Sequence, residues 1–227
     1  MADPAFRPVA EHALLVEFGS EISDAAHEAV LRLDGALAAA PFPGFREAIP
    51  AYVNLLVDFD PLETDHAAAE AALRALLGAK AGPRPDPAVR EVLACYEGDL
   101  APDLPALAEL CGMSVEAVIA AHLAGDYRVF MYGFAPGYAY LAGVPEAIRQ
   151  PRKPAPVRGI PAGSLIVAGA QCLVTTLTMP TGWWVIGRSP TPILTGDPDR
   201  PFLFDVGDKV IFRRVGRDDF ARAEGKA

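Results

Sequence analysis

Excess positive charge, paired cysteines, clustered histidines and long apolar runs are all missing from this chain of 227 residues. Its 20 Lys and Arg face 29 Asp and Glu, for a formal net charge of −9. An acidic protein is not drawn to a polyanion, so nucleic acid and anionic membrane surfaces are excluded as expected partners. The cysteines Cys95, Cys111 and Cys172 are odd in number and form no C-x-x-C pair. That usage predicts reduced thiols, mostly buried as small hydrophobes, in a cytoplasmic protein. His12, His27, His66 and His122 are scattered without metal-ligand spacing, so no metal site is expected. The phosphate-loop patterns G-x-x-x-x-G-K-S/T and G-x-G-x-x-G do not occur, nor does the G-x-S-x-G nucleophile elbow. The chain by itself is therefore not expected to bind nucleotide through such a loop. No apolar run approaches the roughly 18 residues that span a bilayer. The opening MADPAFRPVAEH has neither the basic nor the apolar region of a secretory signal.

What is present is ordinary globular material, 52% hydrophobic and 22% charged, enough for one large domain or two small ones. The first 80 or so residues alternate strand and helix patterns. His12–Phe18 reads as a strand. Ser23 can cap a helix in which Ala26, Val30, Leu33 and Leu37 recur at helical spacing until Pro41. Glu47–Ile49 and Tyr52–Phe59 read as two strands broken at Pro50. Thr64 or Asp65 can cap a second helix, Ala67–Leu77, with Leu73, Leu76 and Leu77 inward. This predicts a small α+β sandwich over residues 1–82. The Gly- and Pro-rich stretch Gly78–Pro87 is the expected linker. Beyond it, over residues 88–220, a strand at Val89–Tyr96 and two short helices precede short strands with frequent turn signals, which argue for a barrel or sandwich. The polar tail from Gly216 is expected to fray.

The two short helices, with Gly112 in their turn and Ser114 as a cap, have the cadence of a helix-turn-helix. Val115–Leu123 carries Glu116 and no Arg or Lys, however, so a plain αα-hairpin is the expectation.

The most informative stretch is Tyr127–Pro145, with aromatics at 127, 130, 132, 134, 138 and 140 and hardly a charge. Alternation predicts a strand with one buried face. Gly133–Tyr138 then breaks it: Pro136 lacks an N–H, and Gly137 can take positive φ or admit another backbone. Phe134, Pro136, Gly137 and Tyr138 are thus candidates for the wall of a small-molecule pocket, or simply a hydrophobic hairpin. Arg152, with Lys153 and Arg158, forms a small cationic cluster that either clamps an anion or is solvated loop charge. Pro161, Gly163 and Ser164 lie in a turn that either seats an anion with backbone N–H groups or only bonds locally. Ser164 as a nucleophile needs a base that sequence alone does not supply. Arg188, after Trp183 and Trp184, is a substrate clamp or an intrachain partner. His122 is a general acid–base candidate, set against a packed, hydrogen-bonded histidine.

Read in order, Cys95–Leu104, His122 with Tyr127, Gly133–Leu141, Pro151-Arg152, Ile160–Ser164, Gln171, Trp183–Pro190 and Val206–Val210 resemble one family. It is known variously as allophanate hydrolase subunit 1, the KipI kinase inhibitor and the B subunit of 5-oxoprolinase. The resemblance implies a small α+β domain followed by a cyclophilin-like β-barrel. His122, Ser164 and Arg188 are the catalytic candidates. Phe134, Pro136, Gly137, Tyr138, Arg152, Pro161, Gly163 and Gln171 are the substrate-binding candidates. The resemblance also implies a larger sister subunit of the allophanate hydrolase subunit 2 or KipA type, with a shared active site. No cofactor is then expected on this chain alone; ATP or carboxybiotin would enter at the level of the complex. The sequence departs from the family pattern where Val157 replaces an arginine. Leu173 and Thr181 replace glycines, and Thr175 replaces a tyrosine. Two functions follow as expectations: a non-autonomous subunit of an ATP-dependent amidohydrolase or carboxyltransferase-like complex, or a regulator that docks a sensor histidine kinase.

Overall fold

The structure, a computed structural model, describes residues 3–78 and 87–225. The chain divides into two compact units, Met1–Asp86 and Pro87–Ala227. Most of the expected linker, residues 79–86, lies outside the described residues.

The first unit is a four-stranded antiparallel sheet in the order β1 (Ala5–Val9), β2 (Ala13–Glu17), β4 (Asn54–Phe59), β3 (Phe45–Pro50). Two helices, α1 (Asp24–Ala39) and α2 (His66–Gly78), pack against the strands and each other. Leu14, Val16, Leu55, Val57 and Phe59 alternate onto the buried face and meet Val30, Leu33, Leu37 and Leu73. The Ser23 hydroxyl accepts from the Ala26 N–H at 3.3 Å. Of the two cap candidates for α2, Asp65 serves, accepting from the Ala68 N–H at 2.8 Å. Strand β1 escapes sequence reading because it is an edge strand, mostly exposed and interrupted by Pro8, and its strand character comes from pairing with β2.

The second unit is a seven-stranded sheet. Its order is β12 (Trp184–Arg188), β9 (Ser164–Ala168), β10 (Gln171–Val174), β7 (Ala139–Ala142), β6 (Tyr127–Tyr132), β13 (Lys209–Arg214), β5 (Val89–Ala94). Among the described strands, only β13 and β5 pair in parallel. The two outer strands meet where Cys95 and Arg188 exchange both backbone hydrogen bonds at 2.9 Å, so the sheet is nearly closed into a barrel. A separate ribbon joins β8 (Val157–Ile160) to β11 (Met179–Thr181). The fold is α+β.

Helices α3 (Leu104–Leu110) and α4 (Val115–Leu123) form an αα-hairpin, with Gly112 at φ +63° and Ser114 accepting from the Ala117 N–H. Leu104, Leu107, Val118 and Ile119 bury into the barrel core with Tyr127, Leu141, Leu165 and Phe212. No single helix among the described residues is long and apolar enough to cross a membrane.

The tail corrects an expectation. Instead of fraying, it forms α5 (Arg217–Glu224), whose Phe220 is buried against Cys95, Leu100 and Val215. One apolar residue in a polar segment gives almost no periodic signal, and its partners are far away in sequence.

Candidate functional site

Strand β6 delivers the chain into the turn 133–138. The Gly133 N–H donates to the Tyr138 carbonyl at 3.2 Å, and the Tyr138 N–H donates to the Ala135 carbonyl at 3.0 Å. The far side of the turn is pinned. The Thr176 hydroxyl donates to the Pro136 carbonyl at 2.8 Å. Gly137 has φ +70°, where a side chain is strained, and a Cβ there would press on Leu194 Cδ2 at 2.7 Å. The near side is pushed outward: Phe134 has φ +71° and is 77% exposed. A bulky residue in the left-handed region is strained, a condition that clusters at functional sites.

Phe134 and Tyr138 stand at one wall of a cavity of about 180 Å³, with Tyr140, Trp183 and Thr181 around it and the buried Ile166 and Leu173 behind. The rings form a chain: Phe134–Tyr138 at 5.4 Å, Tyr138–Tyr140 at 6.0 Å and Tyr140–Trp183 at 6.0 Å. The Arg152 guanidinium lies 5.6 Å from the Trp183 ring centroid and lines the same cavity. Burial, and then the neighbouring Tyr140, pushes the Tyr138 phenol up to about 12. Burial also raises Tyr140, with Arg152 opposing. Both phenols are neutral at ordinary pH. The Tyr138 hydroxyl donates to the Met179 sulfur at 2.8 Å. An aromatic pocket with a single cation is suited to a small, partly planar molecule carrying a carboxylate.

The turn expected to seat an anion is built differently. Gly163, at φ +81°, donates its N–H to the Thr175 carbonyl at 2.7 Å. The Ser164 N–H donates to the Thr175 hydroxyl at 2.9 Å, and the Ser164 hydroxyl donates to the Pro161 carbonyl at 2.8 Å. These donors are engaged within the chain, and Ser164 is buried, so this arrangement offers neither an oxyanion seat nor a free nucleophile. Gly163 and Arg188 line a second cavity, of about 270 Å³. There Arg188 pairs with Glu224 at 3.4 Å, donates to the Ala162 carbonyl at 3.3 Å and lies 5.9 Å from the Phe220 ring. It holds α5 to the barrel as an intrachain partner.

His122 is fully buried in the barrel core. Its Nδ1 is 2.9 Å from the Tyr96 hydroxyl and its Nε2 is 3.6 Å from the Cys172 sulfur, with Tyr127 and Phe212 packed on the ring. Desolvation lowers its pKa to about 3. This is the packed, hydrogen-bonded arrangement that was set against the acid–base role. Gln171 starts β10, registered against Ala142 and Ala168, and is not among the residues lining either cavity.

Of the expected site residues, the structure therefore brings Phe134, Tyr138 and Arg152 together and places Gly163 and Arg188 elsewhere. Sequence reading left Tyr140, Met179 and Thr181 unassigned and gave Trp183 no specific role, although Tyr140 continues the aromatic alternation. The departures from the family pattern are accommodated. Leu173 supplies apolar wall, the Thr181 hydroxyl accepts from the Trp183 N–H at 3.1 Å, and Thr175 ties β10 to the Pro161 turn.

Fold and pocket together define a two-unit α+β protein whose barrel-like sheet carries an aromatic, arginine-bearing cavity. The chain belongs to the family described as carboxyltransferase domain, subdomain C and D, which matches residues 4–204. It is 34% identical over 224 residues to the B subunit of 5-oxoprolinase from Bacillus subtilis (strain 168), covering 92% of each chain. It is 31% identical over 204 residues to the Escherichia coli O157:H7 protein of the same name, covering 90% of this chain and 93% of that one. Among solved structures, TTHA0988 superposes with a TM-score of 0.79 at 36% identity, over 90% of this chain but 40% of that one. The Kluyveromyces lactis urea carboxylase superposes with a TM-score of 0.78 at 15% identity, over 96% of this chain and 22% of that one, a likeness of fold alone.

Proposed function

We propose that this chain is a non-autonomous subunit of an ATP-dependent amidohydrolase of the 5-oxoprolinase type. It holds a small cyclic amide carboxylate for a reaction completed with a larger sister subunit. The observation that carries this reading is the pocket, in which Arg152 faces an aromatic enclosure with no other charge. The carboxylate would pair with Arg152, the flat ring would lie among Tyr138, Tyr140 and Trp183, and the neutral phenols would exclude water without competing for the anion. The names of the 31–34% identical relatives support the same substrate class and imply further subunits. Among the described residues, the donors around the second cavity are already engaged within the chain. The Gly163 and Ser164 N–H groups are engaged, and the second cavity's arginine is paired with Glu224. ATP would therefore be held by the partner. The test is to co-express the chain with a larger sister subunit, purify the complex and measure ATP-dependent conversion of 5-oxoproline to glutamate. Activity in the complex and not in the chain alone is the expected result. Full turnover by the isolated chain would overturn the shared-site reading, and a complex inert on 5-oxoproline would overturn the substrate.

A further inference from the structure

Lys153 and Asp103 are not among the residues lining the aromatic cavity, yet the loop that carries Arg152 hangs on them. Pro151–Lys153 belongs to no helix or strand. It is stitched instead to the start of β12: the Trp184 indole N–H donates to the Pro151 carbonyl at 2.8 Å, and the Lys153 N–H donates to the Gly182 carbonyl at 2.7 Å. The Lys153 ammonium reaches Asp103 Oδ2 at 2.6 Å and lies 5.9 Å from the Trp184 ring. Arg152 is directed to the other tryptophan, Trp183. The same Asp103 oxygen accepts the Val185 N–H at 2.8 Å, and the Asp103 N–H donates to the Val185 carbonyl at 3.0 Å. The two side chains are only 10% and 23% exposed. An ion pair that is largely withdrawn from water is costly to break, because removing one partner strands the other charge. Among the described residues no carboxylate pairs with Arg152, whose contact in the cavity is with the Trp183 ring.

We propose that the Asp103–Lys153 pair is a positioning clamp: by turning Lys153 inward against β12 it holds Arg152 over Trp183, ready for the substrate's carboxylate. The inference rests on reading the pocket as the substrate site, and its first test needs no ligand. In ¹H–¹⁵N spectra of the full chain, the Arg152 Nε–H resonance, assigned by its loss in Arg152→Ala, should be shifted by the Trp183 ring current. Lys153→Met should return it to the position of a free arginine, and Lys153→Arg, which keeps a cation on Asp103, should hold it in place. An unmoved resonance in Lys153→Met overturns the clamp. Asp103→Asn, which keeps an acceptor for the Val185 N–H, serves as the test if Lys153→Met does not fold.

The second test uses 5-oxoproline and its uncharged analogue 2-pyrrolidinone as probes, titrated by calorimetry. Loss of a charge-assisted contact in Lys153→Met should weaken 5-oxoproline about tenfold or more and leave 2-pyrrolidinone unchanged. Equal weakening of both would mean collapse of the pocket and would overturn the clamp. A wild-type chain that binds neither probe would overturn the substrate reading, while the spectrum still decides the clamp.

Discussion

His122 carries a titration that stability measurements can read. Its folded pKa of about 3 lies below the ordinary histidine value of 6.5, because a charged imidazole in the barrel core would be desolvated. Between those two values the unfolded chain binds a proton that the folded chain refuses, so acid in that window favours unfolding and stability is recovered as pH rises. Urea unfolding of wild type and His122→Gln at pH 7 and pH 5 checks this. The wild type should lose about 2 kcal/mol more than the variant over that interval, and parallel losses would place the histidine in contact with solvent. The residue scale also shows why chemistry-bearing letters mislead. Ser164, His122 and Arg188 look reactive in the sequence and are engaged in packing, whereas Trp183 and Tyr140, which look like core, line the pocket.

At the scale of elements, α5 is the clearest case of structure that local sequence does not announce. Its acidic first turn, Asp218 and Asp219, suits a helix N-terminus, and Arg222 lies in its last turn. Phe220 is its only buried residue. Phe220→Ala should therefore cost about 3 kcal/mol in urea unfolding, near the lower end for a buried phenylalanine in so small a cluster. Loss of the Arg188–Glu224 contact should accompany it. A change within a few tenths of a kcal/mol would mean that the helix is held some other way. The helices and strands with clean periodicity were legible: α1 with its Ser23 cap, α2, the α3–α4 hairpin and β6. Edge strand β1 was not, because half of its identity is supplied by its neighbour.

For the whole molecule, the separation of cores matters most. Leu14, Val30, Leu55, Phe59 and Leu73 form one core within the first unit, and Tyr127, Leu141, Leu165 and Phe212 belong to another within the second. Each unit should therefore fold alone. Residues 87–227 should give a cooperative urea transition, and residues 1–86 a weaker one, since a smaller chain buries a smaller share of its surface. An unfolded 87–227 fragment would show that the barrel depends on the first unit.

The sequence by itself determined the α+β class, the glycine- and proline-broken aromatic turn and the family, because periodicity, turn chemistry and ordered motifs are local and survive without coordinates. Only the tertiary structure decided which polar residues reach a cavity. Arg152 faces the pocket and Lys153, its neighbour, faces Asp103 fifty positions away. Gly163 and Ser164 direct their donors to Thr175 and Pro161. Whether a side chain is free or engaged depends on partners that the chain brings together only when the sheet closes, and no spacing along the sequence encodes that.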